Sequence, residues 1–124
     1  MWHYFNHNPA GRMTGDCSVR AVSAALDLSW DEAFDLLAHN AREMCDMPSS
    51  DAVWGSVLRQ HGFVRSIIPS SCPDCYTVGE FAEDFPRGTY VLGTGQHAVC
   101  VRDGAILDSW DSSREIPSFM WRRI

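Results

Sequence analysis

The sequence contains no lysine, and basic side chains are scarce in it. All ten are arginine, and they stand against sixteen aspartates and glutamates, which gives a net charge of −6. A surface with excess negative charge repels phosphate backbones. We therefore expect no nucleic acid among the partners of this protein.

Long apolar runs are also absent. The longest, such as Ala21–Leu26, extend over only a few residues, whereas a helix needs about 20 apolar residues to cross a bilayer. The opening residues Met1-Trp2-His3-Tyr4 lack the basic and apolar regions of a signal peptide. We therefore expect a cytoplasmic protein with no membrane partner.

Internal repeats, low-complexity tracts and linkers are missing as well. A length of 124 residues with 45% hydrophobic residues is typical of one compact domain, so we predict a single domain over residues 1–124. The five cysteines cannot all pair within the chain. Without an export signal, we expect them to be reduced thiols.

The first half of the chain carries helical periodicity. Apolar residues at every third or fourth position predict a helix over Cys17–Leu26. A capping-box pattern at Ser29–Glu32 predicts a second helix that ends near His39. Ser50 and the apolar residues after it predict a third helix, closed by Gly62.

The second half turns to strands, with one short helix opened by the capping-box pattern at Thr77–Glu80. Asp103-Gly104 is the dipeptide typical of a two-residue type I′ hairpin turn. Helices followed by antiparallel strands predict an α+β fold, in which N-terminal helices pack on a C-terminal antiparallel sheet. The predicted strands are Phe63–Ile68, Thr89–Leu92, Gln96–Arg102 and Ala105–Trp110.

Cys17 is the first candidate for chemistry. It lies in the first turn of the predicted first helix, with Asp16 as a candidate N-cap. A thiol reacts as its thiolate, and a helix N-terminus beside an imidazole lowers the thiol pKa. The free N–H groups of that turn can also stabilise an oxyanion beside the sulfur.

A histidine and an aspartate converge through the hairpin at Asp103-Gly104. With a two-residue turn, His97 lies opposite Trp110, and Asp108 is one diagonal step from His97 on the same face. A carboxylate at that distance orients the imidazole ring and stabilises its charged form. Asp111 falls on the other face, so the register selects Asp108 as the partner of His97.

Two further cysteine sites lead to other predictions. Alternation along the strand places Cys100 on the face opposite His97, where we expect it to pack in the core. Cys72-Pro73-Asp74-Cys75 is a lone C-x-x-C, and the nearest other donor side chains lack zinc-finger spacing. We expect an exposed loop with two thiols there, and no metal.

Three segments resemble those of the papain-like cysteine peptidase superfamily. The pattern looks most like small single-domain papain-fold proteins of phage and bacterial genomes, and Thr14–Ala21 is similar to the cysteine segment of ovarian-tumour-type deubiquitinases. The resemblance implies a papain-like fold in which Cys17, on an N-terminal helix, meets His97 and Asp108 on a later sheet, with no cofactor. The segments are Gly15-Asp16-Cys17-Ser18-Val19-Arg20-Ala21, Gly95-Gln96-His97-Ala98-Val99 and Asp108-Ser109-Trp110-Asp111.

The resemblance also bears on the oxyanion donor. Many papain relatives carry a glutamine a few residues before the cysteine, and no glutamine precedes Cys17 here. Asn8 or Thr14, with Asn6 as a further candidate, would have to donate in its place, or the backbone N–H groups would act alone.

These features together predict a cysteine hydrolase that acts on a peptide or isopeptide bond of a peptide or protein substrate. A triad of Cys17, His97 and Asp108 would work through a thioester acyl-enzyme. One alternative is a catalytically silent papain-fold binding module, such as a phage factor that engages a host protein. Another is acyl transfer to an amine in the manner of a transglutaminase, which uses the same three residues.

Overall fold

The computed structural model describes residues 1–69 and 75–123. Over these ranges the chain forms helices on both sides of one sheet, so the predicted α+β class is confirmed. Within the same ranges, no helix is long and apolar enough to cross a bilayer. The elements are α1 Cys17–Leu26, α2 Trp30–Met44, α3 Asp51–Gln60, α4 Val78–Asp84, β1 Trp2–Tyr4, β2 Phe63–Ile67, β3 Thr89–Gly93, β4 Ala98–Arg102, β5 Ala105–Asp108 and β6 Phe119–Arg123.

The sheet is mixed, and this corrects the predicted antiparallel C-terminal sheet. Its strand order is β1-β5-β4-β3-β6-β2. β1 runs parallel to β5, with Trp2 paired to Ile106, while the other strand pairs are antiparallel. The two edge strands are β1, from the start of the chain, and β2, from its middle. A strand of three residues such as β1 is too short to show the alternation by which strands are predicted.

The hairpin between β4 and β5 forms with the predicted register. Arg102 pairs with Ala105, and Cys100 pairs with Leu107. Asp103 and Gly104 have φ values of +49° and +79°, as a type I′ turn requires at both central positions. The open end of the hairpin is shorter than predicted, because β4 begins at Ala98 and β5 ends at Asp108.

The sheet separates two apolar clusters. α1, α2 and α3 pack on the face that carries Ala98 and Cys100, and α4 packs on the face that carries Val99 and Val101. This alternation follows from the two-residue period of side chains along β4. The α1 helix lies chiefly over β4, so its first residue is brought to the sheet end where β4 begins.

The start and the end of α2 are each fixed by side-chain hydrogen bonds. Its start is the predicted capping box, in which the Ser29 hydroxyl accepts from the Glu32 N–H at 3.1 Å and the Glu32 carboxylate accepts from the Ser29 N–H at 3.0 Å. The helix continues past the predicted end to Met44. Asn40, the residue after the predicted end, is buried. Its side-chain amide donates to the Ser56 hydroxyl and to the side-chain carbonyl of Gln60, both on α3, and these bonds favour continuation of the helix.

Candidate active site

Cys17 is the first residue of α1 and is partly buried. Asp16 occupies the N-cap position, but its side chain makes no capping hydrogen bond. One carboxylate oxygen of Asp16 is bound by the Arg20 guanidinium, and the other accepts from the Trp30 indole N–H at 2.9 Å. The Asp16 carboxylate therefore leaves the first-turn N–H groups of α1 uncapped, next to the Cys17 sulfur.

Asp108 is held by four donors at the end of β5. Its Oδ2 lies 2.7 Å from the His97 Nε2 and accepts from the Ser112 hydroxyl at 2.7 Å. Its Oδ1 accepts from the Ser109 N–H at 2.8 Å and from the Arg20 guanidinium at 3.1 Å. Burial raises the pKa of Asp108, but the hydrogen bonds from His97 and Ser112 lower it below its ordinary value. The carboxylate therefore stays charged although it is only 1% exposed.

Cys17 and His97 shift each other's pKa. Burial raises the pKa of Cys17, but hydrogen bonds from His97 and the Ala98 N–H, with the positive charges of His97 and Arg20, bring it below its ordinary value. Burial lowers the pKa of His97, whereas its hydrogen bonds with Asp108 and Cys17 raise it to about 9. Because Nε2 faces Asp108, Nδ1 is the ring nitrogen left for the sulfur. These shifts favour a thiolate–imidazolium pair at neutral pH.

The pair forms where the strands end and not on a sheet face. Alternation would place His97 on the side of Val99, which packs against α4, whereas Cys17 packs with α1 on the other side. Gly95 and Gln96 form a tight turn before β4, in which Gly95 adopts a φ of +95°. The Thr94 N–H donates to the His97 carbonyl at 3.0 Å, so this residue pair continues the β3–β4 register. His97 lies one residue before β4 begins, where its ring contacts Asp108 and interacts with the Cys17 thiol.

Trp110 covers the His97 ring from one side. The two ring centroids lie 4.8 Å apart at an angle of 46°. Asp111, the rejected partner for His97, is exposed, and its carboxylate accepts from the Ser113 N–H at 3.1 Å. As the register predicted, Asp108 and not Asp111 meets the imidazole.

The N-terminal strand β1 fixes the backbone of Asp108. The Asp108 carbonyl accepts from the Phe5 N–H at 2.7 Å and from the Trp2 indole N–H at 3.0 Å. Tyr4 is the residue that pairs with Asp108 across the parallel ladder. Asp108 is thus held through both its side chain and its main chain.

The two candidate oxyanion residues lie in the loop before α1. The Asn8 side-chain oxygen accepts from the Ala10 N–H at 2.9 Å and the Arg12 N–H at 3.3 Å, so it organises a turn. Thr14 is exposed, and its carbonyl accepts from the Asp16 N–H at 2.7 Å. None of these contacts involves Cys17, and an oxyanion role for Asn8 or Thr14 stays a prediction.

Arg20 is the functional residue that the sequence reasoning missed. It is buried, and its guanidinium forms ion pairs with both Asp16 and Asp108. The i,i+4 spacing of Asp16 and Arg20 was a usable signal for the first pair. The second pair joins residues 88 positions apart, which no local pattern indicates.

The remaining cysteines differ from Cys17. Cys100 is fully buried, and burial raises its pKa to about 12, in keeping with the predicted packing role. Cys45 is exposed at the end of α2. The predicted thiol loop at Cys72-Pro73-Asp74-Cys75 falls largely outside the described residues. Cys75, which is described, is disulfide-bonded, and this corrects the expected reduced thiol at that position. Across residues 1–69 and 75–123, no three His, Cys, Asp or Glu side chains are grouped to hold a metal ion.

Comparison with known proteins gave no match among protein-family models, curated proteins or solved structures. The chemical capacity of the site therefore has to be judged from its geometry. A partly buried thiol at a helix start, an imidazole that contacts it and a buried carboxylate that holds the imidazole are the groups needed for nucleophilic acyl transfer.

Proposed function

We propose that this chain is a papain-like cysteine hydrolase that cleaves a peptide or isopeptide bond. The observations that support this most are the 2.7 Å contact between the His97 Nε2 and the Asp108 Oδ2 and the lowering of the Cys17 pKa by the same imidazole. The order of the three residues along the chain, and their placement on a first helix and a later sheet, agree with the papain-like arrangement.

In the first half of the reaction the Cys17 thiolate attacks the substrate carbonyl carbon and forms a C–S bond. The carbonyl oxygen takes up the negative charge, which the first-turn N–H groups of α1 stabilise. When the tetrahedral intermediate collapses, the C–N bond breaks, and the His97 imidazolium gives its Nδ1 proton to the departing amine. A thioester on Cys17 and a neutral imidazole remain.

In the second half a water molecule resolves the thioester. His97 removes a proton from the water as its oxygen attacks the carbonyl carbon. The C–S bond then breaks, the carboxylic acid product leaves, and the thiolate–imidazolium pair is restored. Asp108 takes no proton in this scheme, and it fixes the ring orientation and stabilises the charge that His97 carries.

A labelling experiment tests the proposal without a known substrate. We expect iodoacetamide at pH 7 to modify Cys17 much faster than Cys45, although Cys45 is the more exposed of the two, because Cys17 has a lowered pKa and a neighbouring imidazolium. In His97→Ala this preference should disappear. Peptide mapping by mass spectrometry measures both rates in one sample.

The matched control is His39→Ala, which removes an α2 histidine that shows no contact with Cys17. This variant should keep the labelling preference. Equal labelling of Cys17 and Cys45 in the unmodified protein would contradict an activated thiol and leave the silent binding module as the better interpretation.

A further inference from the structure

A cavity of about 230 Å³ opens between α3 and the strands β2 and β6, on the same side of the sheet as α1. Its wall includes Gly55, where a Cβ atom would lie 2.7 Å from the Trp121 ring. Glycine at this position therefore lets the Trp121 ring pack directly against α3. The side chains that give the cavity its chemistry are Asp51, Arg59, Arg65, Phe119 and Trp121.

Two guanidinium groups lie over aromatic rings in this cavity. Arg59 lies 5.2 Å from the centre of the Trp121 ring, and Arg65 lies 4.5 Å from the centre of the Phe119 ring. A cation–π contact of this kind holds a guanidinium against the ring without using its N–H donors, which stay available for a planar acceptor. Among the ion pairs of the described residues, neither arginine has a carboxylate partner.

The remaining polar groups of the cavity define the charge it accepts. The Asp51 carboxylate is present, and it accepts from the Trp54 indole N–H at 3.1 Å. Two guanidinium groups against one carboxylate leave one positive charge, which suits a single carboxylate more than a doubly charged phosphate. The Trp121 indole N–H is buried and has no hydrogen-bond acceptor, and a carboxylate oxygen would supply one.

The cavity adjoins the catalytic end of the sheet. Phe119, at the start of β6, pairs with Gly93, and its ring lies where a Gly93 Cβ would be. Gly93 ends β3 and leads directly into the turn that carries His97. β6 is two strands from β4, which corresponds to roughly 10 Å and to about three residues of an extended peptide.

We infer that this cavity is a substrate subsite that binds the side-chain carboxylate of a Glu or Asp about three residues from the cleaved bond. The inference rests on the proposed hydrolase function and adds a substrate class to it. Arg59 and Arg65 bind the carboxylate from two sides, while Phe119 and Trp121 keep the two guanidinium groups in place.

Protection of Cys17 from iodoacetamide tests the subsite. The probes are blocked Ala/Ser heptapeptides that carry one Glu at each position in turn, each paired with the same peptide carrying Gln. At one or two neighbouring positions, we expect the Glu peptide to halve the alkylation rate at a roughly three- to tenfold lower concentration than its Gln partner. Arg59→Gln and Arg65→Gln should each reduce this difference, and the double variant should remove it.

Arg87→Gln is the matched control, because Arg87 is exposed and lies outside the cavity. It should keep the preference for Glu. If the Glu and Gln peptides of every pair protect Cys17 equally, or if no peptide protects it, the subsite is overturned. Selective alkylation of Cys17 in the same experiment would leave the hydrolase proposal standing. Loss of that selectivity in the unmodified protein overturns the hydrolase proposal itself, so the two failures are distinct.

Discussion

At the scale of single residues, Arg20 joins the helix that begins with Cys17 to the strand that ends with Asp108. It is 4% exposed and lies between Asp16 and Asp108. Removing one partner of a buried ion pair costs more than the pair contributes, because the remaining charge is left without compensation. Arg20 is therefore both a structural and a positioning residue.

We expect Arg20→Gln to lower the free energy of unfolding by about 3 kcal/mol, because Asp16 loses its ion-pair partner and Asp108 keeps only that with His97. Urea denaturation at pH 7 measures this. Arg87→Gln, at an exposed position, should stay within about 0.5 kcal/mol of the unmodified protein. If both variants lose the same amount, the Arg20 pairs are no stronger than surface contacts.

The protonation of Cys17 should depend on Asp108 even though His97 lies between them. Asp108→Asn removes the charge that raises the pKa of His97, so less positive charge remains beside the thiol. The midpoint of iodoacetamide labelling against pH should move up, toward the ordinary thiol pKa of 9.0. A midpoint that does not move would show that the lowered thiol pKa arises without the carboxylate.

Hydrolysis itself should fall at both ends of the pH range. On the acid side, activity is lost as the Cys17 thiolate takes up a proton below its lowered pKa. On the alkaline side, activity is lost as the pH rises through about 9, because His97 then lacks the proton that the leaving amine needs. Labelling by iodoacetamide, which needs only the thiolate, should persist above that pH. Parallel loss of labelling and hydrolysis on the alkaline side would exclude this role of His97.

At the scale of elements, β3 and β6 approach so closely at Gly93 that no side chain fits. A Cβ atom there would lie 2.1 Å from the Phe119 ring. We expect Gly93→Ala to destabilise the protein by roughly 1–3 kcal/mol through overpacking. Gly15→Ala is the control, since a Cβ atom at Gly15 meets nothing within 4 Å. Thermal unfolding of the two variants compares them, and an equal effect would contradict the close packing.

The elements that the sequence predicted well are those whose signals are local. The apolar period gave the bounds of α1 as Cys17–Leu26, and the Asp103-Gly104 dipeptide gave the β4–β5 register. β1 and β6 are absent from the predicted strands, because they have only three and five residues and show too little alternation to be recognised. Pairing partners more than 20 positions away decide both strands, and no local period encodes them.

The candidate site was predictable to a similar extent. The hairpin register led to Asp108 as the partner of His97, and the helix start drew attention to Cys17. Alternation along β4 does not explain how His97 reaches Cys17, because Val99 faces α4 whereas Cys17 packs on the side of α1. The bridging role of Arg20 depends on a contact between residues 88 positions apart, which the sequence pattern does not carry.

At the scale of the whole molecule, the site links protonation to stability in two opposing ways. The raised pKa of His97 contributes stability that is complete below its ordinary value of 6.5 and is lost as the pH rises through about 9. The lowered pKa of Cys17 contributes stability that is complete above 9.0 and is lost as the pH falls through its lower value in the folded protein.

Cys17→Ala should expose the histidine contribution. The two contributions change in opposite directions between pH 6.5 and about 9, so the free energy of unfolding of the unmodified protein should vary little there. In Cys17→Ala it should decline over this range, since Asp108 still raises the pKa of His97. Urea denaturation at pH 6.5, 7.5 and 9 distinguishes the two profiles, and parallel profiles would show that the Cys17 thiol contributes no pH dependence to stability over this range.

The contacts that Asp108 makes with β1 and with Arg20 also bear on the order in which the site assembles during synthesis. Translation releases Cys17 long before His97 and Asp108, and the Asp16–Arg20 pair meets Asp108 across 88 positions of chain. Contacts of such long range form late in folding. A nascent polypeptide on the ribosome therefore carries Cys17 without the His97 imidazole that lowers its pKa, until the β4–β5 hairpin has been made and has docked on α1.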